Sequence, residues 1–174
     1  MLKGEKVYLR TLEIGDINIL TNICNDKVVS QYNSYHSSKV DKQFLIKNFH
    51  IIKKVYNKAL SIINEKKVVV GFINYEEVYT DVYSIGITIG RRFWGRGYGS
   101  DAILTLVEYL FDEEDAEEIQ LEVAQPNTRA INCYRKCGFI DGNIIKKAFK
   151  TSLGAFDIIK MYLLKSEFYK ENIV

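Results

Sequence analysis

Gly95-Arg96-Gly97-Tyr98-Gly99-Ser100 is the stretch of this chain whose residue types most directly suggest chemistry. It follows a β-branched run at 83–89 and precedes a segment in which Ile103, Leu106, Val107 and Leu110 recur at helical spacing. A glycine-rich turn that opens a helix lets backbone amides approach a ligand closely, and the helix start adds about half a positive charge. The expected guest is an anion such as a phosphate; a tight turn whose glycines only relieve backbone strain has the same composition. Two standard nucleotide loops fail by residue type. The dinucleotide fingerprint needs a glycine where Ser100 stands. The Walker A loop, counted from Gly90 to Gly95, needs Lys and then Ser or Thr where Arg96 and Gly97 stand, which excludes that class of NTPase.

A second group lies downstream. Leu121-Glu122-Val123 is followed by Asn127-Thr128-Arg129-Ala130-Ile131-Asn132-Cys133-Tyr134-Arg135-Lys136-Cys137-Gly138-Phe139. Asn127 is a good helix cap and Gly138 a good helix terminator, while Tyr134 shares an apolar face with Ala130 and Ile131, which taken alone reads as core. Taken in order with the glycine turn, this pattern resembles the GNAT acyltransferase superfamily: a strand, a pyrophosphate loop ending in G-x-G/A, then N-x-x-A-x-x-x-Y-x-x-x-G-F. The resemblance spans roughly 7–164, with its specific motifs confined to 84–139. Trp94-Gly95-Arg96-Gly97-Tyr98-Gly99 looks most like the ribosomal-protein N-terminal acetyltransferase branch and its small-molecule relatives.

The resemblance implies acetyl-CoA as donor and direct attack of a primary amine within a ternary complex. Backbone groups of Ile87, Thr88 and Ile89 would bond the pantetheine arm, and one N–H there would help hold the tetrahedral oxyanion. Amides of Gly95, Arg96, Gly97, Tyr98, Gly99 and Ser100 would hold the pyrophosphate. Asn127 would bond the pantetheine region, and Tyr134 would sit at the thioester sulfur as proton donor, a phenol near ~10 facing a thiol near ~8.5. For the general base, many members carry Glu just before the Ile-Gly of the cofactor strand, where this chain has Ser84 before Ile85-Gly86. Glu122 is then the candidate, pointing opposite Leu121 and Val123 by strand alternation; an exposed strand carboxylate is its plainer reading. The acceptor expected is a peptide N-terminal amine, with a polyamine or an aminoglycoside as the small-molecule alternative. The missing Glu keeps open a non-catalytic acyl-CoA-binding module on the same fold.

The surrounding elements must position these groups. A strand is expected at 7–10, then a helix capped by Asp16 with Ile17, Leu20, Ile23 and Cys24 on one face. A second helix is expected from Ser38, with Asp41 in a capping box and Val40, Phe44, Ile51 and Val55, flanked by Leu45, Ile52 and Tyr56, as a buried face. Runs at 59–63 and 68–78 about Asn64-Glu65-Lys66-Lys67 read as a hairpin, and 144–150 with 155–164 as another. With strand 119–124 and helix 127–137 added, the fold class is α/β, a mixed sheet flanked by helices, in a single domain over 1–174.

Composition narrows the rest. The 174 residues are 47% hydrophobic and 26% charged with net charge +2, values of a globular domain and too balanced for a nucleic-acid binder. No segment approaches the ~18 apolar residues of a membrane span, and the first residues lack a signal-peptide run, so a cytoplasmic monomer or homodimer is expected. Cys24, Cys133 and Cys137 are too few for a disulfide scaffold. Cys133 and Cys137 have metal-ligand spacing but no accompanying ligands, so no metal is expected. His36, beside Tyr32 and Tyr35, is a weak candidate for the substrate mouth. The acidic run Asp112-Glu113-Glu114-Asp115 with Glu117-Glu118 reads as a solvated turn. Residues 1–60 hold ten Lys/Arg against five Asp/Glu, which argues against a strongly cationic acceptor in that half.

Overall fold

The computed structural model describes residues 1–32, 39–55, 58–151 and 154–171. Its strands are β1 (Leu2–Lys3), β2 (Val7–Thr11), β3 (Ala59–Asn64), β4 (Val69–Tyr79), β5 (Val82–Ile89), β6 (Glu118–Ala124), β7 (Ile140–Thr151) and β8 (Gly154–Leu164). Its helices are α1 (Ile17–Cys24), α2 (Lys27–Ser30), α3 (Lys42–Lys47), α4 (Phe49–Val55), α5 (Tyr98–Glu113), α6 (Thr128–Lys136) and α7 (Lys165–Glu171). Among the described residues the strands hydrogen-bond in the order β1-β2-β3-β4-β5-β6-β8-β7, an eight-stranded sheet. β5 and β6 pair parallel, whereas β1–β2, β2–β3, β3–β4, β6–β8 and β7–β8 are antiparallel, so the sheet is mixed as expected. The parallel ladder runs from Val82–Glu118 to Ser84–Gln120. Two compact units are distinguishable, Met1–Tyr75 with Ile87–Thr105 and Glu76–Gly86 with Leu106–Val174.

In the first unit β2 buries Val7 and Leu9 by strand alternation, and β3 and β4 add Ile62, Val70 and Ile73. α1 turns Leu20 and Ile23 onto Val29 and Val69, with Leu12, Ile63, Phe72 and Trp94 closing the cluster. Asp16 stands at the position expected of a cap, but its side chain makes no capping bond to α1. Instead it is buried and accepts from Arg10 Nη1 at 2.7 Å and Nη2 at 2.9 Å, from Ser61 Oγ at 2.7 Å and from the Glu13 N–H at 2.9 Å. Burial alone would push this carboxyl's pKa up; the bonds from Arg10, Ser61 and Glu13, with Arg10's charge, outweigh it and hold Asp16 below the ordinary value.

The second expected helix departs from its pattern. Asp41, expected three residues inside the helix, is instead the N-cap of α3, accepting from the Gln43 N–H at 2.8 Å, and α3 ends at Lys47, with Asn48 separating it from α4. Asn48 has left the helical region, and its side chain donates to the Phe44 carbonyl at 2.8 Å. The interruption resets the helical phase, so the expected stripe does not form a buried face: Phe44 and Ile51 are exposed. The expected start at Ser38 and the Tyr35, His36 and Tyr56 positions lie outside the described residues.

In the second unit the later turns of α5 bury Leu106, Val107, Leu110 and Phe111 completely, against a core that includes Ile119, Leu121, Met161 and Leu163. Phe168 of α7, an element without a sequence expectation, tilts on Phe111 at 5.5 Å between centroids. The acidic run is bound rather than simply solvated. Glu114 accepts from Tyr109 at 2.5 Å and Tyr83 at 3.4 Å, Asp112 accepts from Tyr169, and Lys165 Nζ donates to the Phe111 carbonyl at 2.5 Å. A lysine on the last carbonyls of a helix offsets the acids gathered at its negative end.

Candidate active site

Strand β5 and the start of α5 set the glycine turn. Gly90 donates its N–H to the Val70 carbonyl at 2.9 Å, which fixes the strand's end to β4. Arg91–Phe93 then make one 3₁₀ turn, with the Phe93 N–H on the Gly90 carbonyl at 2.8 Å. The Trp94 indole reaches back and donates to the Ile89 carbonyl at 2.7 Å. Phe93 is buried and meets Tyr98 edge to face at 6.4 Å. The turn itself is held at both ends by these anchors and stays exposed at Gly95, Arg96 and Gly97.

Gly95 and Gly97 have φ of +73° and +83°, the left-handed region that glycine adopts without strain. Alternating this conformation along a short turn aims successive N–H groups toward a common point, the geometry of an anion-binding nest. α5 begins at Tyr98, and its early bond from the Asp101 N–H to the Gly97 carbonyl measures 3.0 Å. A 16-residue helix therefore points its positive end at the exposed glycines. Residues 95–100 thus fit a pyrophosphate through main-chain groups. The Tyr98 side chain faces elsewhere: it is buried, donates to Glu65 at 3.0 Å and accepts from Asn64 at 3.4 Å. Only its backbone is left for a ligand, and the phenol instead ties the helix start to the β3–β4 turn. Thr88 is buried, and Ile87 and Ile89 are half-buried in the same unit as the turn.

Glu122, Asn127 and Tyr134 belong to the other unit, on β6 and α6. Asn127 caps α6, its Oδ1 accepting from the Ala130 N–H at 3.3 Å while its own N–H bonds the Ala124 carbonyl at 2.8 Å. Its side-chain amide N–H groups are not needed for the cap. α6 then runs to Lys136, and Gly138 follows with φ of +89°, the expected terminator. Tyr134 is buried and packs edge to face on Phe139 at 6.1 Å. Its hydroxyl makes no hydrogen bond among the described residues. Burial pushes the phenol's pKa up, Cys133 and Cys137 add to that, and Arg129 works against it; the net is a group that stays protonated across the working pH range. Cys137 is core and Cys133 half-buried.

Glu122 is exposed between buried Leu121 and Val123, as alternation predicts. Its cross-strand partner in β8 is Lys160, and their charges pair at 3.4 Å. Such an exposed pair is worth little to stability. One residue near the turn was missed from sequence. Lys6, from the loop between β1 and β2, places its Nζ beside Gly97. No local pattern connects positions so far apart in the chain.

Comparison with known proteins follows the same lines. The profile of the family described as acetyltransferase (GNAT) domain matches residues 6–140. The uncharacterized N-acetyltransferase p20 of Bacillus licheniformis is 24% identical over 173 residues, covering 96% of this chain and 97% of that one. Spermidine N(1)-acetyltransferase of Vibrio cholerae is 25% identical, covering 97% of this chain and 99% of its own. A solved structure of the Vibrio cholerae spermidine N-acetyltransferase, in complex with CoA and spermine, superposes with a TM-score of 0.81 at 20% identity, over 94% of this chain and 98% of that one. These relatives do not support the expected ribosomal-protein N-terminal branch. With a GNAT fold of mixed α/β architecture and a match over most of its length, the chain belongs to the acetyltransferase (GNAT) domain family and is an acetyl-CoA-dependent N-acetyltransferase.

Proposed function

We propose that this enzyme acetylates a primary amine of a small aliphatic polyamine, in preference to a peptide N-terminus. The observation that carries this reading is the end-to-end match to a spermidine N(1)-acetyltransferase, which covers both chains almost completely. Main-chain groups of 95–100 hold the pyrophosphate, and those of 87–89 and the Asn127 amide hold the pantetheine arm. Glu122 takes the proton from the attacking ammonium, directly or through water. Lys160 then competes with the substrate for that carboxylate. Tyr134 donates a hydrogen bond to the sulfur as the carbon–sulfur bond breaks.

Four of the five carboxylates in the first sixty residues already have partners, Glu5 being the exception. Asp16 is committed to Arg10, Asp26 and Asp41 cap α2 and α3, and Glu13 pairs with Arg10 at 3.5 Å. Thiol release at saturating acetyl-CoA, with spermidine, spermine, an aminoglycoside and an N-terminal peptide in parallel, tests the assignment. The expected result is a kcat/KM for a polyamine at least ~10-fold above the peptide's, a difference of about 1.4 kcal/mol in transition-state stabilisation. Preference for the peptide would overturn it.

A further inference from the structure

We propose that Lys6 is a ligand of the cofactor's pyrophosphate, closing the glycine turn from the side with a charge that adds to that of Arg96. The inference rests on the reading that 95–100 hold that pyrophosphate. A side-chain carbon on Gly97 would stand 2.9 Å from Lys6 Nζ, 3.5 Å from its Cδ and 3.8 Å from its Cε. The lysine stem therefore lies along the exposed glycine, with the ammonium at the positive end of α5.

The backbone that carries Lys6 is pinned to that helix. Asp101, in the first turn of α5, accepts the N–H groups of Glu5 at 3.0 Å, Lys6 at 2.8 Å and Val7 at 2.9 Å. Gly4 lets the segment lie this close: a side-chain carbon there would come within 2.4 Å of Thr105 Oγ1 and 2.6 Å of Asp101 Oδ2. One carboxylate thus fixes the loop to the helix that forms the turn, and the register puts residue 6 over residue 97.

Electrostatics says what the arrangement is for. A cation at a helix N-terminus is disfavoured. Lys6 makes no ion pair among the described residues, and Asp101 spends its oxygens on three main-chain donors. Arg91, Arg92 and Arg96 precede the same helix, Arg92 lying over the Phe93 ring at 4.6 Å. Among the described residues none of these cations is in an ion pair, and a polyanionic ligand accounts for their placement at the positive end of the dipole. A charge-assisted contact from Lys6 to a phosphoryl oxygen then turns an unfavourable placement in the free enzyme into affinity for the cofactor.

The test is calorimetric titration of wild type, Lys6→Met and Lys6→Arg with acetyl-CoA and 3′-dephospho-CoA, with turnover of acetyl-pantetheine, a donor without phosphates, in parallel. Lys6→Met is expected to weaken acetyl-CoA binding about 10-fold, the scale of one charge-assisted contact. The same loss should appear with 3′-dephospho-CoA, because the pyrophosphate remains. Turnover of acetyl-pantetheine and kcat with acetyl-CoA should not change, and Lys6→Arg should recover most of the affinity. The thermal midpoint of the free Lys6→Met protein should stay level or rise as the helix end is relieved. Wild-type affinity in Lys6→Met overturns the proposal, as does a penalty that vanishes with 3′-dephospho-CoA or extends to acetyl-pantetheine. Absence of acetyl-CoA binding by the wild type would instead remove the underlying pyrophosphate assignment.

Discussion

At Tyr134 burial and proton chemistry pull in different directions. Desolvation raises its pKa, so the hydroxyl keeps its proton at any working pH, yet the same rise moves it further from a thiol near ~8.5. Full transfer to a departing thiolate would then be uphill, and the role we propose for the side chain is that of a hydrogen-bond donor to the charge that develops on sulfur. Removing that donor should slow chemistry without loosening the cofactor. Tyr134→Phe is expected to lower kcat about 10- to 100-fold, within the range of a single transition-state donor, and to leave the acetyl-CoA Kd within about 2-fold. Steady-state rates with parallel calorimetry check this. Unchanged turnover would return Tyr134 to a packing role beside Phe139, the reading its apolar helix face allows on its own.

Among the elements, β2, α1 and β3 are joined through one carboxylate. Asp16 binds Arg10 of β2 and Ser61 of β3 from the turn that leads into α1. Because its pKa is lowered on folding, its contribution is fully present above the unfolded value of ~3.9 and is lost as pH falls through the lower folded value. Asp16→Asn should cost about 2–3 kcal/mol at neutral pH, since Arg10 loses its buried partner, and should flatten the acid side of the stability curve. Urea melts of both proteins between neutral pH and pH ~3 check the sign. A variant as acid-sensitive as wild type would contradict it. The sequence pattern reads Asp16 as a cap, which it is not, because a cap is a local signal and the bonds to Arg10 and Ser61 depend on strand pairing. The same logic separates the rest. The glycine turn, the Asn127 cap and the Gly138 terminator were legible because they lie in backbone conformation within a short stretch, whereas the role expected of Tyr134 came from the family resemblance alone. The break at Asn48 was not, since an apolar stripe continues across it in sequence while its side chain closes on Phe44. Lys6 was not, since only the docking of its loop on Asp101 carries it to Gly97.

For the molecule as a whole, the charge balance has to serve a polyanionic donor and an amine acceptor together. The net charge is only +2, so neither partner is drawn in by a uniform field. The excess of Lys and Arg in the first sixty residues, which taken as a bulk property argues against a cationic acceptor, includes Lys6, which lies beside Gly97 and which we propose serves the donor. Local placement decides what each charge does. Main-chain groups at 95–100 are proposed to hold the cofactor, and calorimetric titration of acetyl-CoA into wild type and Gly97→Val puts that to the test. Valine at φ of +83° is strained, and its first carbon would meet the Lys6 ammonium at 2.9 Å. Binding should weaken at least ~100-fold, about 2.7 kcal/mol, in a protein whose thermal melt still reports a folded chain. Gly95→Ala, where a side-chain carbon meets open space and only the backbone is strained, should weaken binding less. Wild-type affinity in folded Gly97→Val would remove the glycine turn as the cofactor's binding site.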